Sequence, residues 1–208
     1  MDSAAELVKL QQTLEKNFDN LPLATKPEDL VHGEGDPSAS VMFIGEGPGY
    51  YEARERRPFV GRSGKLLRKT LTEIGLLPEK VWISNIVKVR PPENRDPTPE
   101  EIAAFRSYLN QEIELINPEI IVTLGRFSMA KFLPEVKISQ IHGRLHKVQW
   151  EGKLTYVLPM YHPAAALRST QVTESFLADF QKIPKILTWL KEQQEVRKTK
   201  RKIEEALF

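Results

Sequence analysis

Three polar residues stand at the ends of short apolar runs. Glu46 follows VMFIG (41–45), Asn85 sits inside VWISNIV (81–87), and His162 follows the run that begins at Leu154. A carboxylate can position water. A side-chain amide can donate to and accept from one base edge at once, and an imidazole can donate to a developing anion. Each also has a plain structural use: a turn residue, a strand-end cap, a satisfied histidine. Placed together at one sheet edge, they describe a reaction site.

The segment GEGPGYYEARERRPFVGRSG (45–64) carries the densest signal. Its glycines let the backbone approach a ligand closely, although a tight turn alone would also use them. A dinucleotide fingerprint requires the last glycine to open a helix, whereas here Tyr50, Tyr51, Glu52 and an arginine-bearing loop are expected to follow. GRSGK lacks the spacing and the Lys-Ser/Thr pair of a phosphate-binding P-loop. Phe59, between Pro58 and Val60, is read as a core anchor or a stacking platform. Arg54, Arg56, Arg57, Arg62, Lys65 and Arg68 crowd this loop and the next helix, and Lys88, Arg90 and Arg95 crowd the second. Such loops are either solvated surface or a seat for a phosphate backbone.

The elements that must carry these residues alternate. AAELVKLQQTLEKN (4–17) spaces Leu7, Leu10 and Leu14 as an amphipathic helix, and 18–40 reads as loop. Strands are expected at 41–44, 81–87, 120–124 and 154–158. Helices are expected at 63–75 with Ser63 as cap, from Thr98 to about 116 with Glu101 completing a capping box, after Gly125, and at 173–194. The pattern predicts an α/β fold with a mainly parallel sheet and helices on both faces, whose site lies at the carboxyl ends of the strands.

Composition narrows the classes. The 208 residues include no cysteine, which excludes disulfides, thiolate metal sites and a cysteine nucleophile. Four scattered histidines make no metal site. Of 30 basic and 28 acidic residues, six and four fall in 191–208, leaving 24 of each elsewhere, so a strongly basic coat is excluded and local patches are not. No apolar run approaches the roughly 20 residues of a membrane span, and MDSAAELVKLQQ has no signal pattern. A cytoplasmic monomer is expected, with one domain over 1–190 and a charged helical tail over 191–208. That tail reads as a solvated helix end, or as a surface that docks a partner.

Four ordered motifs resemble the uracil-DNA glycosylase superfamily, above all its type 4 enzymes. They are GE-G-PG with RPFVG-SG (45–64), N-VK-RPP-NR-P (85–97), P-IIVTLG (118–125) and YHPAAALR (161–168). The resemblance implies a three-layer α/β/α architecture with a central four-stranded, mainly parallel sheet. It also implies hydrolysis of the N-glycosidic bond of flipped-out uracil in single- or double-stranded DNA, which opens base excision repair. By it, Glu46, Asn85 and His162 are catalytic, and Gly47, Glu52, Phe59 and Asn85 hold the base. Glu52 would exclude the thymine methyl, Phe59 would stack on uracil, and His162 would bond its O2. Arg62, Ser63, Arg90, Arg95, Ala164, Leu167 and Arg168 would contact DNA, Leu167 as a wedge.

One departure is large. Type 4 enzymes usually hold an iron–sulfur cluster on four cysteines, and the matching positions here fall near Asn17, Asn20, Val89 and Phe105. No such cluster can form, no cofactor or metal is expected, and apolar packing is expected in its place, with Val89 and Phe105 as candidates. The inserted histidine loop of a DNA-crosslinking branch is also missing from RPPENRDPTPEE. The rival readings are a glycosylase for another deaminated base (hypoxanthine or xanthine), a catalytically silent DNA-binding homologue, and a nucleotide-binding domain.

Overall fold

The computed structural model describes residues 2–207, so Phe208 of the expected tail lies outside the described residues. One sheet contains β1 (Glu34–Gly35), β2 (Val41–Gly45), β3 (Trp82–Asn85), β4 (Ile120–Leu124), β5 (His146–Trp150) and β6 (Lys153–Met160). Its order is β1-β3-β2-β4-β6-β5. The central four strands are parallel, and β1 and β5 add antiparallel edges. The sheet is therefore mostly parallel but six-stranded, not four-stranded. β1 has only two residues, and β5 (HKVQW) alternates half-buried with exposed positions, so neither shows the apolar run that marks the central strands. β5 is tied to β6 by a tight turn with positive φ at Glu151 and Gly152.

Strand alternation divides the core into two layers. Met42, Ile44, Trp82 and Ile121 face one cluster, under α1 (Ser3–Lys16) and α4 (Pro99–Ile116). Val41, Phe43, Ile83 and Val122 face the other. There Leu67 and Leu71 come from α3 (Arg62–Glu73), Phe176 and Phe180 from α8 (Thr170–Phe180), and Ile183 and Leu190 from α9 (Ile183–Leu207). Short helices α2 (Tyr50–Glu55), α5 (Arg126–Ala130), α6 (Ile138–Ile141) and α7 (Pro163–Ala166) sit in the connections. The architecture is the expected α/β/α sandwich.

Three local expectations are corrected. Gly61, not Ser63, caps α3, and Ser63 lies in its first turn. Gly49 does open a helix, α2, although that helix lasts only six residues. The expected helix over 173–194 is two helices, because Pro184 has no N–H to offer the carbonyl four residues back, at Phe180. The Thr98–Glu101 capping box forms as expected. No helix among the described residues is long and apolar enough to cross a membrane.

A buried polar network fastens β3 to α4. Lys88 and Glu112 are 3% and 5% exposed. The Lys88 ammonium donates to Glu112 Oε2 at 2.6 Å and also to the Ser84 hydroxyl. Ser84 donates to Glu112 Oε2 at 2.8 Å, and the Trp82 indole N–H donates to Oε1 at 2.9 Å. A buried charge stripped of its partner is costly. Glu112→Ala should therefore lower unfolding free energy in urea by about 3–5 kcal/mol. The pairwise apolar change Lys88→Met/Glu112→Leu should cost much less. A loss under about 1 kcal/mol for Glu112→Ala would match an exposed pair and contradict the burial.

Candidate active site

The carboxyl ends of β2, β3, β4 and β6 open into one cleft of about 910 Å³. β2 delivers Glu46, β3 delivers Asn85, β4 runs into Gly125 and Arg126, and β6 runs into Tyr161 and His162. The chain order places β3 and β4 on opposite sides of β2, so the cleft lies where successive connections diverge, the usual ligand position in an open parallel sheet.

Phe59, Asn85 and His162 converge at its floor. Phe59 is 4% exposed, and its ring centroid lies 5.7 Å from that of His162. Gly45 lies under both Phe59 and Asn85. A Cβ there would fall 2.4 Å from Asn85 Oδ1 and 2.5 Å from Phe59 Cζ, so only glycine admits this approach. Gly64 does the same for the backbone of Phe59, which a Cβ at 64 would meet at 2.0 Å.

Phe59 has φ +54°, an uncommon backbone state for an aromatic residue, and its loop is held from three sides. Glu52 Oε1 accepts from Val60 N–H at 2.9 Å and Gly61 N–H at 2.7 Å. Arg68 donates to the carbonyls of Pro58 and Phe59, both at 2.9 Å, and is itself held by Glu34 at 2.5 Å. The sequence reading set Glu52 in the pocket wall. It does border the cleft, and it also fastens the loop that carries the ring.

The electrostatics favour uncharged recognition at the floor. Asn85 is 2% exposed, and its Oδ1 is buried without a hydrogen-bond partner. His162 Nδ1 accepts from Ala164 N–H at 3.1 Å, so the ring proton resides on Nε2. Desolvation pushes the imidazole down to about 4, helped by Arg168 and opposed by Glu52. The ring is thus neutral at physiological pH, a donor without a formal charge. Glu46 is half-buried. Burial raises its pKa, the charge of Asp96 raises it further, and Arg126 opposes.

Every site residue expected from the sequence borders the cleft except Arg90, which stacks 5.4 Å over the Tyr50 ring and donates to Asn94 at 2.8 Å. Arg95 binds Glu101 through both terminal nitrogens, at 2.9 and 2.6 Å. Arg62, Leu167 and Arg168 are exposed at the rim. Of the other crowded arginines, Arg56 pairs with Glu15, and Arg57 and Arg68 pair with Glu34. Tyr50, Asn94, Asp96, Arg126 and Tyr161 also border the cleft and were not singled out as site residues. Their signal was available, since all five lie in or beside the quoted motifs or a strand end. Tyr161 packs at 4.4 Å on His142, whose Nδ1 lies 2.5 Å from the buried Asp179.

With this geometry in place, sequence comparison gives the class. The family model for the uracil DNA glycosylase superfamily matches residues 32–190, and the chain belongs to that superfamily. Among individual relatives, it is 44% identical over 161 residues to the type-4 uracil-DNA glycosylase of Archaeoglobus fulgidus, covering 74% of this chain and 80% of that one. It is 44% identical over 161 residues to the type-4 enzyme of Sulfurisphaera tokodaii, covering 74% and 73%. It is 40% identical over 184 residues to the type-4 enzyme of Thermotoga maritima, covering 88% and 95%.

The four-cysteine cluster implied by the type 4 resemblance does not fit these residues. Asn17 caps α1, with its side-chain nitrogen donating to the Thr13 carbonyl, and Asn20 is exposed. Val89 and Phe105, 3% and 0% exposed, sit in one apolar cluster with Leu14 and Leu21. Hydrocarbon fills the joint between α1, the end of the β3 segment and α4. No group of three or more potential ligands among His, Cys, Asp and Glu occurs among the described residues.

Two titrations test the site. In ¹⁵N NMR, His162 should keep an unprotonated Nδ1 and a protonated Nε2 from pH 8 down to about 5, because its folded pKa lies near 4. Protonation near 6.5 would contradict the desolvated setting. Its depressed pKa also means that the unfolded chain takes up a proton first on acidification. Stability from this group is therefore full above about 6.5 and is lost as pH falls towards 4. The Glu46 carboxyl should titrate above the ordinary glutamate range, and Asp96→Asn should move it down, because that change removes a repelling charge. An upward or absent movement would refute that coupling.

Proposed function

We propose that this chain hydrolyses the N-glycosidic bond of uracil in DNA with Glu46, Asn85 and His162 as the acting groups and Phe59 as the stacking surface. The observation that carries the assignment is the orphaned Oδ1 of Asn85, buried beside the Phe59 ring and a neutral Nε2–H donor. Uracil presents N3–H and O4 along one edge, and an amide matches both with Oδ1 accepting and Nδ2 donating. Cytosine presents an acceptor at N3 and a donor at N4, which leaves like groups facing one another. A buried mismatch of that kind is strongly discriminating.

The base must leave the stack, which costs a few kcal/mol in a duplex and less at a mismatch or in a single strand. The C1′–N1 bond then breaks with its electron pair moving to uracil. Charge gathers at O2, where His162 Nε2–H donates, an interaction worth most in the transition state. A water positioned by Glu46 adds to C1′ and its proton passes to that carboxylate, whose raised pKa suits an acceptor. These steps use side chains and water and draw on no bound cofactor. Gly47 and Glu52 complete the base pocket. Arg62, Ser63, Arg90, Arg95, Ala164 and Arg168 contact the backbone, and Leu167, 45% exposed beyond α7, fills the vacated stack.

We further read the chain as a cytoplasmic monomer, since one chain supplies the whole cleft. Domain and tail are read as 1–190 and 191–208, with the tail open to a repair partner. α9 runs through that boundary as one helix.

Excision from a labelled uracil oligonucleotide, single-stranded and as a U:G duplex, tests the activity. His162→Ala should lose on the order of 10²–10³ in rate. Asn85→Asp should lose uracil excision and gain weak cytosine excision, and unchanged uracil kinetics in that variant would defeat the Asn85 assignment. DNA binding without an abasic product would indicate a silent homologue, and excision of hypoxanthine or xanthine alone would indicate another base.

A further inference from the structure

Tyr50 and Tyr51 are large rings left in solvent beside the reaction cleft. They are 55% and 48% exposed, adjacent in the chain, and set edge to face with centroids 5.4 Å apart. Both border the cleft. Each carries a guanidinium, Arg90 over Tyr50 and Arg54 over Tyr51, both at 5.4 Å. Arg90 is fixed there by its bond to Asn94, while Arg54 is exposed and leans on Glu55 at 3.6 Å. The base-recognition steps use neither ring.

We propose that Tyr50 and Tyr51 form a stacking platform for an unpaired base flanking the target nucleotide, giving the protein additional hold on single-stranded DNA. The proposal rests on the DNA-cleft reading above and names the form of DNA the rim is built for. Exposed aromatic rings beside arginines are the combination that binds single strands without sequence preference, because every base has a π-face and every nucleotide a phosphate. The edge-to-face arrangement leaves ring surface in two orientations, and the arginines supply positive charge next to it. In a duplex the flanking bases are stacked on their neighbours and cannot reach the rim. In a single strand they can rotate onto it. Continuity with the cleft favours DNA over a protein partner, since any chain leaving the pocket on this side crosses the two rings.

The test measures binding by fluorescence anisotropy with three labelled probes. They are a single strand containing 2′-fluoro-2′-deoxyuridine, which resists cleavage, the same strand with thymine in its place, and the fluorinated strand paired to give a U:G duplex. Tyr50→Ala/Tyr51→Ala should weaken both single strands by about tenfold or more and the duplex by far less. Tyr50→Phe/Tyr51→Phe should bind like the parent, because the rings and not the hydroxyls act. Equal losses on single strand and duplex, no loss on either, or an equal loss in the phenylalanine variant would overturn the platform. The last result would point to hydroxyl–phosphate bonds, and indifference to all DNA would leave the rim to a protein partner. The thymine strand separates this proposal from the uracil reading. A protein that did not prefer the 2′-fluorodeoxyuridine strand would still lose hold of the thymine strand when the rings are removed.

Discussion

The end of β3 is held by a charge with nowhere else to go. Lys88 lies under the sheet edge, three residues beyond Asn85, with Glu112 of α4 as its counter-ion and Ser84 and Trp82 as further partners. Buried ion pairs seldom add much net stability, because desolvation offsets their attraction. What this one supplies is position. Among the described residues no other carboxylate is bonded to that ammonium, so β3 and α4 meet in one register. The chain between them, 90–98, is tied at its far end by the Thr98–Glu101 capping box and by Arg95 on Glu101. Between those anchors lie Asn94 and Asp96, which border the cleft, and the charge of Asp96 adds to the burial that raises the proton affinity of Glu46. Amide, loop and carboxylate thus depend on one buried pair on the other face of the sheet.

The cleft follows a division of labour. Its floor is neutral in effect: an amide with a free acceptor, an imidazole held as a single tautomer, a ring fixed in an uncommon backbone state. Its rim is charged and exposed. A neutral heterocycle entering the floor meets matching hydrogen-bond groups without the cost of desolvating a full charge. Outside it, Arg62 and Arg168 are exposed at the rim. Among the expected arginines, Arg56, Arg57 and Arg68 serve the protein more than the ligand, since their carboxylate partners Glu15 and Glu34 brace the loop around Phe59.

How much of this the sequence disclosed depended on the range of the interaction. The four central strands and the residues at their ends were legible, because a buried parallel strand is a continuous apolar run and its terminus is local. The Thr98 cap was legible for the same reason. β1 and β5 were not, being short or half polar. The fate of the arginines was not legible either: Arg56 meets a glutamate 41 residues away and Arg68 one 34 residues away, distances over which spacing says nothing. Glu52 was read as a wall and is also a clasp, since its bonds run to backbone N–H groups whose direction only the fold defines. Phe59 is buried in a core cluster and also borders the cleft, a double placement that spacing along the chain does not reveal.

The apolar joint around Val89 and Phe105 changes how this protein can vary over generations. A metal-held joint fails whole when one ligand is lost, because binding and folding are a single event. A joint made of hydrocarbon fails by degrees, each missing methylene costing about 1 kcal/mol and each regained one restoring it. Descendants of this chain can therefore explore the contact between α1 and α4 in small reversible steps, with no supply of iron and no assembly machinery setting the terms.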